Sequence, residues 1–324
     1  MQVSKRDGKK EDFLVEKIHK VVMWATKDIN GVSFSDIEMN ANLSLYDGIS
    51  SVEIHKILIK SANDLISTSN PNYQYVAARL LNMELRKEVW GCGDSPVDFL
   101  VFLERNVDNG VYDSLILDRW SEEEVELFAK CINHDRDDLF TYAGLQQLID
   151  KYLVKNRSTG NIYETPQLAY MCIAMCLFET VEEVKKAYEC YSTFKINLPT
   201  PIMAGVRTNI RQFASCVLVD IDDNLDAIFS SIHAVGKYTA RRAGIGLNIG
   251  RMRPINSPIR GGEVIHTGLI PYLKNFESAV KSTSQNGLRG GSATVHIPFW
   301  HFEIEDVMVL KNNAGTDDNR VRKL

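Results

Sequence analysis

A chain of 324 residues, 44% apolar and 24% charged, is long enough for two or three structural units and too apolar for disorder. The formal charge of −5 argues against nucleic acid as a partner, since non-specific affinity there comes from neutralising many phosphates. A few local cations could still hold a small anion.

The opening reads as a short hairpin. Val3 to Arg6 leads into Asp7-Gly8, a tight-turn dipeptide, and a second strand runs towards Leu14. Helical period follows from Val15, with Ile18, Val21, Val22 and Ala25 on one face. Further helices are expected from Ser51, read as an N-cap, to Ser67, and from Asn72 to Val89. After the turn-rich joint Gly91 to Pro96, Ser121 followed by three glutamates marks a capped helix start, and helical patterns continue to Phe194. The longest apolar run, Leu168 to Phe178, is too short to cross a bilayer and reads as a buried helix. With a polar, basic start and no apolar signal core, a cytoplasmic protein with no membrane partner is expected.

The texture changes after Leu198-Pro199-Thr200-Pro201. Arg211 to Asp220 alternates as a strand, with Cys216 and Leu218 on one face and Val217 and Val219 on the other. Asp222-Asp223-Asn224 opens a helix to about Arg242, and a strand is expected from Ala293 to Pro298. Strand, helix and strand in alternation suggest the beginning of an α/β domain that has few strands by residue 324. The six cysteines, Cys92, Cys131, Cys172, Cys176, Cys190 and Cys216, form no CxxC pair, so neither a zinc site nor a disulfide framework is expected. Cys172 and Cys176 read as core residues. Gly244, Gly246 and Gly250 miss the GxGxxG spacing of a dinucleotide site.

Ordered segments covering nearly the whole chain carry a resemblance. They include Lys5-Arg6-Asp7-Gly8, Tyr46-Asp47-Gly48-Ile49, Asn72 to Leu80 and Lys151-Tyr152-Leu153. Leu198 to Met203, Gln212 to Val217, Arg242 to Gly246, Ser257 to Gly262 and Arg289-Gly290-Gly291 complete the set. Together they resemble the N-terminal portion of the large subunit of class I ribonucleotide reductases. The resemblance implies a mixed α+β and α/β chain: a mostly helical ATP-cone at 1–90, a helical region at 91–197, and the first part of an incomplete ten-stranded α/β barrel at 198–324.

Lys5, Arg6, Lys17, His55 and Lys87 come from separate elements that folding could gather around a triphosphate, with Ser51 adding a hydroxyl at a helix start. Without the resemblance these lysines would read as solvated helix faces. With it, Lys5, Arg6, Glu11, Lys17, Ser51, His55 and Lys87 are expected to form an activity site for ATP or dATP, Glu11 accepting from the adenine amino group. Leu14 stands where the family often has a polar residue. A second, specificity site for deoxynucleoside triphosphates or ATP is implied. There Asp223, Asn224 and Leu225 would contact sugar and base, while Arg253 and Arg260, with Ile259 beside the latter, would hold the phosphates, at an interface formed by large-subunit self-association. For Asp223 the plain alternative is a helix cap.

Gln285 and Arg289, in the glycine-punctuated stretch from Ser282 to Ala293, are expected to relay effector identity to substrate choice. Thr200, Ser215, Ala243, Gly244 and Arg289 would surround a ribonucleoside diphosphate. Cys216 matches one of the family's paired redox thiols, and no other cysteine here matches its mate or the radical-forming cysteine. A strand cysteine is otherwise a packing residue. The implied enzyme therefore needs a complementary C-terminal large-subunit fragment, a small (beta) subunit carrying the metal and tyrosyl radical, and thioredoxin or glutaredoxin as reductant, with no metal in this chain. The competing expectation is a non-catalytic nucleotide-binding regulatory module.

Overall fold

The computed structural model describes residues 1–42, 44–91, 95–156, 158–283, 291–311 and 320–324. These divide into one unit of residues 1–198 with 207–209, and another of 199–206 with 210–324.

The first unit opens with strands β1 (Gln2–Ser4) and β2 (Lys10–Asp12), an antiparallel hairpin whose turn is eased by Gly8 at φ +81°. Its register puts Val3 opposite Glu11, Val3 facing the core and Glu11 staying partly exposed. Four helices follow: α1 (Val15–Thr26), α2 (Phe34–Asn42), α3 (Ser51–Asp64) and α4 (Tyr73–Trp90). Val22, Ile37, Ile49, Leu58, Val76 and Leu80 meet in their shared core, the larger source of stability for helices this short. Ser50, not the expected Ser51, caps α3. Glu53 lies three residues beyond Ser50, and the two bond reciprocally, leaving Ser51 as the first helical residue. Helix α2 was not among the expected elements; its nine residues bury only Ile37 and Ala41.

The unit continues through α5 (Phe99–Asp108), α6 (Leu115–Asp118), α7 (Glu122–Cys131), a tight 3₁₀ segment (His134–Leu139), α8 (Tyr142–Lys151), α9 (Pro166–Leu177) and α10 (Val181–Ser192). Ser121 and Glu124 form the expected capping box of α7. Helix α9 is buried on all sides from Pro166 to Met175; Cys172 is within the core and Cys176 is half-buried. Arg207, supplied by residues 207–209, is fully buried on an equally buried Glu164.

The second unit begins with α11 (Thr200–Gly205) and builds a parallel sheet in the order β3 (Cys216–Asp220), β4 (Gly244–Asn248), β7 (Ala293–His296). Helix α12 (Leu225–Ala240) connects β3 to β4. The hairpin β5 (Pro258–Ile259) and β6 (Val264–Ile265), then α13 (Ile270–Thr283), lie between β4 and β7; α14 (Ile304–Val309) follows. Ile228, Val235, Leu247, Leu273, Phe276 and Val280 make the core between sheet and helices. The strand expected over Arg211–Asp220 is confined to Cys216–Asp220, because the parallel ladder starts where Gly244 comes opposite Cys216. Helix α13 was unforeseen within a stretch marked chiefly by glycines. Among the described residues the strands close no barrel.

Candidate functional sites

The N-terminal unit contains a cavity of about 130 Å³ between the hairpin and helices α1, α3 and α4. Six of the seven residues expected at the activity site line it: Lys5, Glu11, Lys17, Ser51, His55 and Lys87. Val3, Phe13, Ile18, Val21, Ile54 and Leu58 also line it, offering a flat aromatic ring apolar contacts beside the cations. Arg6 is the exception. Its guanidinium lies 2.5 Å from Glu84 of α4 and does not line the cavity. Leu14 also lines the cavity.

Glu11 Oε1 accepts from Lys17 Nζ at 2.8 Å and lies 3.2 Å from Lys5 Nζ. Lys17 foremost, and then Lys5, hold its carboxyl below the usual range, so it is ionised throughout the neutral region. A triphosphate arriving here would compete with Glu11 for both lysines, freeing a carboxylate to accept hydrogen bonds. His55 is 5% exposed, and its Nε2–H donates to the Leu80 carbonyl at 2.7 Å. Burial, aided by the Lys87 charge, lowers its pKa, while the bond to Leu80 opposes that shift. The neutral ring therefore carries its proton on Nε2 and leaves Nδ1 as an acceptor.

In the second unit, Asp223, Asn224 and Leu225 follow the carboxyl end of β3 and Arg253 that of β4, the usual binding edge of parallel sheets, while Ile259 and Arg260 lie in the β5–β6 hairpin. Asn224 is the N-cap of α12, accepting from Ala227 N–H at 2.8 Å. Asp223 is therefore not the cap. Its carboxylate accepts from Arg253 Nε at 2.6 Å and from the Arg253 backbone N–H at 3.1 Å. Leu225 is 58% exposed on the first turn. Ile259 ends β5, and Arg260 turns the hairpin in the left-handed region at φ +50°, its side chain largely exposed and 3.8 Å from Glu263. Sequence reasoning missed Arg251, which bridges Asp220 and Asp222 at 2.9 Å each and whose pKa rises, the bond to Asp222 being the main cause. Three acids within four positions before an Arg-rich turn were the available signal.

Cys216 opens β3 as an exposed free thiol, on the same face as Leu218, which is 81% exposed. Ser215 precedes it and accepts from Gly244 N–H at 2.8 Å, so these two of the expected substrate residues are joined. The Ala243 side chain packs in the core, leaving only its backbone for a ligand. Thr200 is the first residue of α11. Arg242, at φ +73°, donates to the Ala204 carbonyl at 3.1 Å and ties α11 to the turn before Gly244; its role was not read from the sequence. A Cβ at Gly246 would stand 2.6 Å from Leu218 Cδ2, so the bare backbone there admits the leucine of the neighbouring strand. Gln285 and Arg289 lie outside the described residues.

Lysines around a small cavity of the helical first unit and an exposed thiol on the first strand of a parallel sheet fit a nucleotide-binding, thiol-bearing class of protein. Family models agree: residues 1–88 match the ATP cone domain, 138–211 the ribonucleotide reductase all-alpha domain, and 214–324 the ribonucleotide reductase barrel domain. The chain is 49% identical to the ribonucleoside-diphosphate reductase 1 subunit alpha of Escherichia coli, over 99% of its own length and 43% of that protein. It is 45% identical to the corresponding subunit of enterobacteria phage T4, over 100% of its length and 43% of the relative. For Helicobacter pylori the identity is 32%, over 99% and 41%. The chain belongs to the class I ribonucleotide reductase large-subunit family and corresponds to an N-terminal portion, spanning about 43% of the length of these relatives. Among the described residues no helix is long and apolar enough to cross a membrane.

Proposed function

We propose that this chain is the regulatory and thiol-bearing part of a ribonucleoside-diphosphate reductase, acting in the cytoplasm. It would work with a complementary C-terminal large-subunit fragment and a small subunit that carries the metal and radical. The convergence of Lys5, Glu11, Lys17, Ser51, His55 and Lys87 on one cavity carries the reading. The cone takes ATP or dATP there. Deoxynucleoside triphosphates bind at the second site, around Asp223, Asn224, Leu225, Arg253, Ile259 and Arg260, with self-association of large subunits completing that site. Gln285 and Arg289 pass the effector's identity to the substrate.

Cys216 supplies one of two thiols. Their oxidation to a disulfide yields two electrons and two protons; the ribose C2′–OH becomes C2′–H and its oxygen leaves as water. Thioredoxin or glutaredoxin then reduces the disulfide. The second thiol comes from the complementary fragment, within the roughly 7 Å Cα separation that a disulfide allows. Thr200, Ser215, the backbone at Ala243 and Gly244, and Arg289 hold the ribonucleoside diphosphate.

The test combines this chain with the C-terminal fragment and the small subunit and follows deoxyribonucleotide formation. Activity is expected only from the complete mixture and should be lost in C216S. Turnover by the chain alone, or full activity of C216S, would overturn the reading; retained nucleotide binding with no such activity would favour a regulatory module.

A further inference from the structure

The arm between Ile255 and Leu269, which carries Arg260 and follows Arg253, has little core of its own. Its strands are two residues long, Ile255 is 50% exposed and Ile265 is 62% exposed. Its tip turns through Arg260, Gly261 and Gly262, all at positive φ. Such a hairpin is marginal in water unless something fixes its root. Internal bonds zip the lower part: Asn256 N–H donates to the His266 carbonyl at 3.0 Å, and His266 N–H to the Ser257 carbonyl at 2.8 Å.

Both ends of the root meet one buried carboxylate. Glu303, 3% exposed, accepts from Ile255 N–H at 2.9 Å and from Leu269 N–H at 3.0 Å and 3.2 Å. The clasp is itself held in place. Glu303 N–H donates to His301 Nδ1 at 3.1 Å, and His301 Nε2–H donates to the Met252 carbonyl at 2.9 Å, one residue before Arg253. Gly268, at φ +89°, makes room for it, since a Cβ there would lie 2.6 Å from Glu303 Oε1. A buried carboxylate with backbone donors on both sides of a loop fixes geometry that no apolar contact in the arm can fix.

We propose that Glu303 is the positioning residue of the effector phosphate site, locking the root of the arm so that Arg253 and Arg260 face a triphosphate at a set spacing. It reaches the arm from the segment after β7, the strand that follows the stretch containing Gln285 and Arg289. Effector binding and the lie of that segment are thereby joined through one side chain. The inference rests on the reading of Arg253 and Arg260 as phosphate ligands.

The test titrates dTTP, which lacks the adenine the cone would take, into the wild-type chain, E303Q, E303D, G268A and R260A, with ATP binding to the cone as internal control. E303Q keeps size but turns one acceptor into a donor facing an N–H; E303D keeps both acceptors on a shorter stem. E303Q and G268A should weaken dTTP by about tenfold or more, the scale of a lost charge-assisted bond, with ATP unchanged and E303D falling between. In the wild type, dTTP should deepen hydrogen-exchange protection of the Ile255 and Leu269 amides, a readout that needs no variant. Wild-type dTTP affinity in E303Q while R260A loses it, or amide protection indifferent to dTTP, would overturn the proposal. No dTTP binding by the wild type, or full binding by R260A, would overturn the underlying assignment of the site and the proposal with it.

Discussion

Lys87→Ala probes the cone most directly. Lys87 lies in the last turn of α4, half-buried, and lines the same cavity as Lys5, Glu11 and Lys17. Two of the three lysines share Glu11, so their positive charge is partly cancelled in the empty site. A charge-assisted hydrogen bond from Lys87 to a phosphate oxygen contributes roughly 1.5–3 kcal/mol, or about 10- to 150-fold in Kd. The variant has a second consequence. The Lys87 charge is one of the influences depressing the His55 pKa, after burial, so its removal lets the ring titrate closer to 6.5. Protonated His55 would donate from Nδ1 where the neutral ring accepts, and ATP affinity in K87A should vary more than in the wild type as pH falls below 6.5. Isothermal titration with ATP at several pH values measures both effects, and dTTP titration reports the second site. Less than threefold loss of ATP affinity, or an equal loss of dTTP affinity, would refute the reasoning.

Two further predictions concern the helical region. Arg207 Nε donates to Glu164 at 2.7 Å and Nη2 bonds its other oxygen, while Tyr112 OH and Val154 N–H donate to the same carboxylate. Burial opposes the Arg207 charge, yet Glu164 outweighs it and the pKa rises. Arg207→Met strands a buried carboxylate, which typically costs about 3–5 kcal/mol, or about 6–20 °C in Tm for a unit of this size; a loss under 1 kcal/mol in urea unfolding would contradict this. Asp137, fully buried, is pushed up to about 7 by burial, and His134 is pulled down to about 4, burial first and Arg86 next. Asp137 favours folding most below its unfolded pKa of 3.8, and this is lost as pH rises through 7; the His134 contribution is present above 6.5 and lost as pH falls through 4. The two oppose each other from about pH 4 to 6.5. Asp137→Asn should therefore gain stability over the wild type as pH rises, up to on the order of 4 kcal/mol at pH 8, measured by urea unfolding at each pH; a pH-independent difference would refute it.

What the sequence makes legible is local chemistry repeated along the chain. Asp7-Gly8 dictates a turn, Ser121 with Glu124 a helix start, and the Ile18–Ala25 spacing a buried face, because each signal lies within a few residues of its effect. The same holds for the cone residues, which a family resemblance orders and the fold then brings to one cavity. Contacts decided by tertiary approach are not legible. Arg6 reads like its neighbour Lys5, but Glu84 lies 78 positions away and captures it. Asp223 has the sequence context of a cap, yet Asn224 caps α12 and the Asp223 carboxylate is taken by Arg253, 30 positions on.

Glu303 is the extreme case. Nothing near His301-Phe302-Glu303 suggests a role in nucleotide binding, since its partners are backbone amides that carry no side-chain signature. Its burial beside two N–H groups at the root of an exposed arm gives it away. A carboxylate placed there acts on geometry and contributes no ligand atom of its own. Its substitution should therefore change how well both arginines act together while leaving each one intact. In a double-mutant cycle, R260A should lose much of its effect on dTTP affinity once E303Q is present, a coupling of at least about 1 kcal/mol. Additive losses would mean that arm and clasp contribute separately, and the positioning role would fall.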